Sequence, residues 1–122
     1  MYKMIALLLL AGVLFSATVN TEAAPPKAIK GYVASLDDIV LGGTGKVDKA
    51  KATELAEKGS PIVFVTGKGK SAKIYFVYHE DGSFAAKKLA KYASNTNVGI
   101  IGKAKKINGL NILIAESIES MD

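Results

Sequence analysis

The sequence predicts a small, mainly β domain with two short helices, its five strands rolled into a barrel. Three observations lead there. Apolar runs rich in Val, Ile and aromatic residues recur between turns that carry glycine and lysine. Asn108-Gly109 separates two of these runs, and it is the dipeptide that a two-residue hairpin turn demands. Only two stretches, 48–58 and 84–93, space their apolar residues at the helical period.

The chain opens with Lys3, an apolar run from Met4 to Phe15, then small and polar residues as far as Ala23-Ala24. That is the order of a secretory signal peptide, so residues 1–24 are expected to be removed by a cut after Ala23 or Ala24. The apolar run spans about twelve residues where a membrane helix needs roughly 20, so no stable span is expected to remain after cleavage. The expected location is exported, periplasmic or extracellular. Residues 25–28 form an extended lead, because Pro25 and Pro26 fix their own φ and restrain the residue before them. Residues 29–122 suit one compact domain.

Ile29 to Leu36 reads as the first strand, interrupted by Asp37-Asp38 and followed by the loop Gly42-Gly43-Thr44-Gly45. Asp48 is placed to cap a helix whose Ala52, Leu55 and Ala56 share a face, and Gly59 and Pro61 stop that helix. Ile62–Thr66 and Lys73–His79 read as two strands joined by the lysine- and glycine-rich turn 67–70. Asp81-Gly82-Ser83 supplies a turn and a cap for the helix 84–93. Ala85, Leu89, Tyr92 and Ala93 occupy one face of that helix, and Lys87, Lys88 and Lys91 the other. Val98–Ile107 and Leu110–Ile118 pair across Asn108-Gly109, with Gly99 and Gly102 predicting a bend or bulge in the former. Beyond the turn, Leu110, Ile112 and Ile114 alternate with Asn111, Leu113 and Ala115, so one of these faces is expected inward.

Five strands with a helix between the third and fourth is the layout of an OB-fold-like barrel. An α+β open antiparallel sheet with both helices on one face is the alternative. A family resemblance points the same way. Gly31-Tyr32-Val33, the stretch from Ala56 to Ile62, and Val98 to Ala104 followed by Asn108-Gly109 resemble small exported bacterial proteins of the tRNA-anticodon-binding-like OB-fold family. The resemblance covers nearly all of the mature chain. It implies the fold and no assigned activity. Many members carry cysteines, and often a histidine, around the first loop and the next helix. Here those stretches read Asp37-Asp38 and Lys51-Ala52-Thr53-Glu54-Leu55, so no metal or redox role is carried over.

The function expected is therefore non-enzymatic binding. With 0 cysteines, disulfides and thiolate metal sites are closed. His79 is the sole histidine, and no nucleophile-elbow pattern flanks any serine. Gly69-Lys70-Ser71 ends like a phosphate-binding loop but has Phe64 where the first glycine belongs. Asp37 and Asp38 fit a turn or cap better than paired catalysis. No catalytic residue, metal or cofactor is assigned. The net charge is +5 and every basic residue is lysine, which suits an acidic partner or plain solubility. Without arginine, bidentate phosphate contacts are missing. The candidate ligand-binding residues are Lys73, Tyr75 and His79, on one face of the third strand, with Lys103 and Lys105 on the fourth. The partner expected at that strand-two/strand-three face is a small ligand or an envelope protein. The alternative is an oligonucleotide or other polyanion drawn to the basic surface.

Overall fold

The computed structural model describes residues 27–122. The expected leader 1–24 and the prolines of the lead lie outside the described residues, and Lys27 and Ala28 belong to no strand. The elements run β1 (Ile29–Ser35), α1 (Leu36–Val40), α2 (Lys49–Glu57), β2 (Ile62–Thr66), a 3-10 turn (Gly69–Ser71), β3 (Lys73–His79), α3 (Ala86–Ala90), β4 (Val98–Ile107) and β5 (Leu110–Ser120). The strands close in the order β1-β2-β3-β5-β4, with β4 returning to β1. All neighbours are antiparallel except β3 and β5, which run parallel. This is the predicted five-stranded OB-fold-like barrel. No helix of the described residues is long and apolar enough to cross a membrane.

The interior is filled by Val33, Phe64, Val77, Val98, Ile100 and Leu113, joined by Leu89 from α3 and Ala52 and Ala56 from α2. Asp48 caps α2 as expected, its carboxylate accepting the Lys51 N–H at 2.7 Å. Asn108 (φ 51) and Gly109 (φ 85) form the tight turn that closes on Ile107 and Leu110. A bulge falls between Ile101 and Gly102, where Ser117 and Ala115 are the successive partners and Glu116 is left over.

Two expectations need correction. The described residues form three α-helices, not two. Asp37 and Asp38 lie in α1, whose cap is Ser35 accepting the Asp38 N–H at 3.3 Å. Leu36 and Ile39 of this helix pack on the small outer cluster of Ala34, Val63 and Val65. Second, α3 covers only the middle of the predicted 84–93. The Ala85 N–H donates to Val77 O at 2.9 Å, and Phe84 bridges to Tyr78, so the chain stays tied to β3 until Ala85. In β5 one face is inward as expected: Leu113, Ala115 and, beyond the bulge, Ile118 are buried, while Leu110, Ile112 and Ile114 face away from the core.

Candidate functional site

Register fixes which side chains share the outside of the barrel, because directly paired residues project to the same face. Phe76 pairs with Ile112 and Ile112 with Lys105; Tyr78 pairs with Ile114 and Ile114 with Lys103. These two rows cross the outside of β3, β5 and β4. Ile107 and Leu110 continue the strip to the hairpin end, still 49% and 53% exposed. Phe84 closes the other end, its ring centroid 5.3 Å from that of Tyr78 and 6.4 Å from that of Phe76. Tyr78, Ile107, Leu110, Ile112 and Ile114 line a groove of about 300 Å³, with His79 and Glu80 at its rim. An outer face of this kind is ordinarily polar on an antiparallel strand with one face in the core. Contiguous apolar surface of this kind is a candidate for an interaction site.

Lysines dominate the strands and loops around the strip, with Glu80 at the groove's rim as the one carboxylate lining it. Segments 61–79 and 98–115 hold six lysines (Lys68, Lys70, Lys73, Lys103, Lys105, Lys106) and no Asp or Glu. Because β3 and β5 are parallel, the β2–β3 loop and the β4–β5 turn lie at the same end of the barrel. None of these lysines has a carboxylate partner among the described residues, where the ion pairs are Lys51–Glu54 and Lys58–Glu54. Asp81, at the opposite end of β3, has its carboxyl pKa held below the usual value by the Ser83 hydroxyl and then the Ser83 N–H.

The predicted site residues therefore divide. Lys103 and Lys105 border the strip and His79 stands at its rim. Tyr75 does not join them. Its register row contains Phe64, and it packs on the barrel interior next to Val77, so it faces the core and not the outside. Lys73 is exposed at the start of β3 on that same register face. The outer face of β2 and β3, expected to receive the ligand, is occupied in part by Leu36 and Ile39 of α1. The sequence reading missed the apolar strip itself. Its signal was present in β5, where Ile112 and Ile114 alternate with Leu113 and Ala115 and neither face is polar.

A second cavity, about 380 Å³, lies between the β1–β2 connection and the turn after α3, with Tyr32, Lys46, Asp48 and Ser94 on its walls. Its polar groups are already engaged. Lys46 Nζ sits 5.3 Å from the Tyr32 ring centroid, and the Tyr32 hydroxyl donates to Thr44 O at 3.1 Å. Asp48 caps α2, and Ser94 Oγ accepts the Lys49 N–H at 2.8 Å. Those bonds hold the connections together and leave little free chemistry for a ligand. Among the described residues no three His, Asp or Glu side chains gather to hold a metal ion.

A scan against protein-family models, a search of curated proteins and a search of solved structures return no match for this chain.

Proposed function

We propose that this chain is an exported, non-enzymatic binding module that docks an acidic protein of the cell envelope. The observation that carries the reading is the apolar strip on the outside of β3, β5 and β4, bordered by Lys103 and Lys105 in a stretch without carboxylates. Export rests on the leader-like residues 1–24, and the OB-fold-like layout is in keeping with the family resemblance. The strip would supply the affinity. Burying an exposed Leu or Ile is worth about 1.5–3 kcal/mol, so covering the exposed half of Leu110 or Ile107 adds about 1 kcal/mol each. The lysines would supply choice of partner and speed of encounter.

The test is a photo-crosslinking side chain placed at Leu110 of the exported chain in its native envelope, with Thr53 on α2 as the control position. The expected outcome is one dominant acidic protein captured from position 110 and not from 53. Lys103→Glu with Lys105→Glu should cut that yield at least tenfold, and Ile107→Ser with Ile112→Ser should cut it at least fivefold, the exposed half of Ile107 alone accounting for roughly 1 kcal/mol. Capture that ignores both pairs of changes would refute the reading. Steeply salt-dependent oligonucleotide binding that is indifferent to the serine changes would replace it with the polyanion alternative.

A further inference from the structure

The two halves of β4 have different neighbours. Val98, Gly99 and Ile100 lie between β1 and β5, paired with Gly31, Lys30 and Ile29 on one side and with Ser120, Glu119 and Ile118 on the other. From Gly102 to Ile107 the pairing continues with β5 alone. The β1 ladder has ended, and Lys27 and Ala28 are in no strand. Among the described residues no strand pairs with the other side of these six, so this stretch of the barrel carries an open edge.

The turn fixes which backbone groups that edge presents. A two-residue turn closing on Ile107 and Leu110 makes them a hydrogen-bonded pair. By alternation Lys105 and Lys103 also exchange their N–H and C=O with β5, while Gly102, Ala104 and Lys106 direct theirs to the open side. None of the loop and turn backbone bonds among the described residues reaches these three. Pro25 and Pro26, just ahead of Lys27, have no N–H to donate to such an edge. Gly102 and Ala104 are small, so a neighbouring strand can approach closely.

A second copy of this chain is a poor occupant. Edge-to-edge pairing would bring Lys103, Lys105 and Lys106 against their own counterparts, and like charges opposite one another are unfavourable. An extended segment with carboxylates at alternate positions meets the same lysines favourably. Resting on the function proposed above, we propose that the open edge of β4, Gly102–Ile107, takes up an extended acidic segment of the partner protein as an added strand. Backbone hydrogen bonds to Ala104 and Lys106 would set its register, and the lysines would select its charge.

The probe is an acetylated, amidated (Glu-Val)4 peptide titrated into the exported chain at low salt. In the free chain the amides of Lys103 and Lys105 should exchange slowly and those of Ala104 and Lys106 fast. With the peptide bound, all four should exchange slowly. N-methylating one alternate set of peptide amides should weaken binding at least tenfold, and N-methylating the other set should change it less than threefold. Ala104→Pro removes one edge-facing donor without touching the β5 ladder, and it should also weaken binding at least tenfold at an unchanged melting temperature. The proposal is overturned if both N-methyl sets bind as well as the parent peptide, a result that needs no folded variant. It is overturned equally if the peptide fails to bind, or if the chain dimerises through this edge and Ala104→Pro abolishes the dimer. Retention of the acidic crosslink at position 110 under any of those results would leave the docking function standing and remove only the added strand.

Discussion

Gly102 is a position where this architecture is sensitive to a single methyl group. Its φ is not positive, so the backbone itself would accept alanine. The surroundings would not. A Cβ there overlaps the Ile114 carbonyl oxygen and comes within 2.9 Å of the Ile114 carbonyl carbon and 3.0 Å of Ala115 Cα. All three are backbone atoms of β5, so no side chain can swing aside. The strands must separate next to the bulge. Inserting one carbon into a packed site costs about 1–3 kcal/mol. Spoiling one ladder hydrogen bond adds about 1 kcal/mol. A total near 3 kcal/mol corresponds to a fall of roughly 12–24 °C in Tm for a domain of this size. Gly109→Ala is the control with the opposite geometry: φ is +85, and a Cβ meets nothing within 4 Å. Its cost should be the left-handed backbone penalty alone, about 1–2 kcal/mol. Far-UV circular dichroism melts of both variants, backed by urea titration, measure the difference. If Gly102→Ala melts within a few degrees of the parent, or below Gly109→Ala in its effect, the close approach of β4 and β5 at the bulge is wrong.

Two further outcomes follow from the caps. Asp48→Ala removes the acceptor for the Lys51 N–H and should lower stability by about 1 kcal/mol in urea unfolding, without altering the crosslink from position 110. Asp122 accepts bonds from the Asn95 side-chain amide and from the Asn97 and Thr96 N–H groups, and these, Asn95 foremost, lower its pKa from the ordinary 3.8. A carboxyl depressed in the folded state adds stability that is complete above its unfolded pKa and lost as pH falls through the folded value. Asp122→Asn should therefore flatten the acid limb of the stability curve below about pH 4 and leave the limb above pH 6 unchanged.

Local chemistry made most of the barrel legible. The Asn108-Gly109 turn, the Asp48 cap, the β-branched run 62–66 and the glycines near the bulge each carry their own physical signature. What escaped depends on tertiary contacts. The propensity of Leu36-Asp37-Asp38-Ile39-Val40 for helix is weak, since two of the five residues are β-branched and two are Asp. α1 exists because Ser35 caps it and because Leu36 and Ile39 find Val63 and Val65 beneath them. The shortening of α3 has the same origin, a bridge from Phe84 to a strand that the sequence cannot place. The candidate site failed at one step, the choice of faces. Alternation shows that a strand has two faces, but where both are apolar, as in β3 and β5, it does not say which one turns inward. Tyr75 went to the wrong face for that reason, and the Ile112–Ile114 strip went unseen.

The bulge explains how one strand can serve both interior and strip. In the lower half of β5 the even-numbered residues Leu110, Ile112 and Ile114 face outward, while Leu113 and Ala115 fill the barrel. In the upper half the even-numbered Ile118 is 7% exposed and belongs to the interior, opposite Ile100. Strict period-two alternation cannot satisfy both. Without the extra residue at Glu116, either Ile118 turns out to solvent and Glu119 turns into the core, or the strip turns inward and the lower barrel is overfilled. β4 has no extra residue, so Val98, Ile100, Gly102 and Ala104 keep one phase throughout, buried at Val98 and Ile100 and exposed by Ala104. The register change therefore falls wholly on β5, at the level where β4 parts from β1 and its edge opens. Above that level both strands are committed to the barrel. Below it β4 is held by a single ladder, to β5, while β5 also pairs with β3, and the outward side chains of the hairpin form the strip. That division of labour would hardly be needed if the lower hairpin only kept the protein soluble, a task alternating polar residues would perform without any bulge.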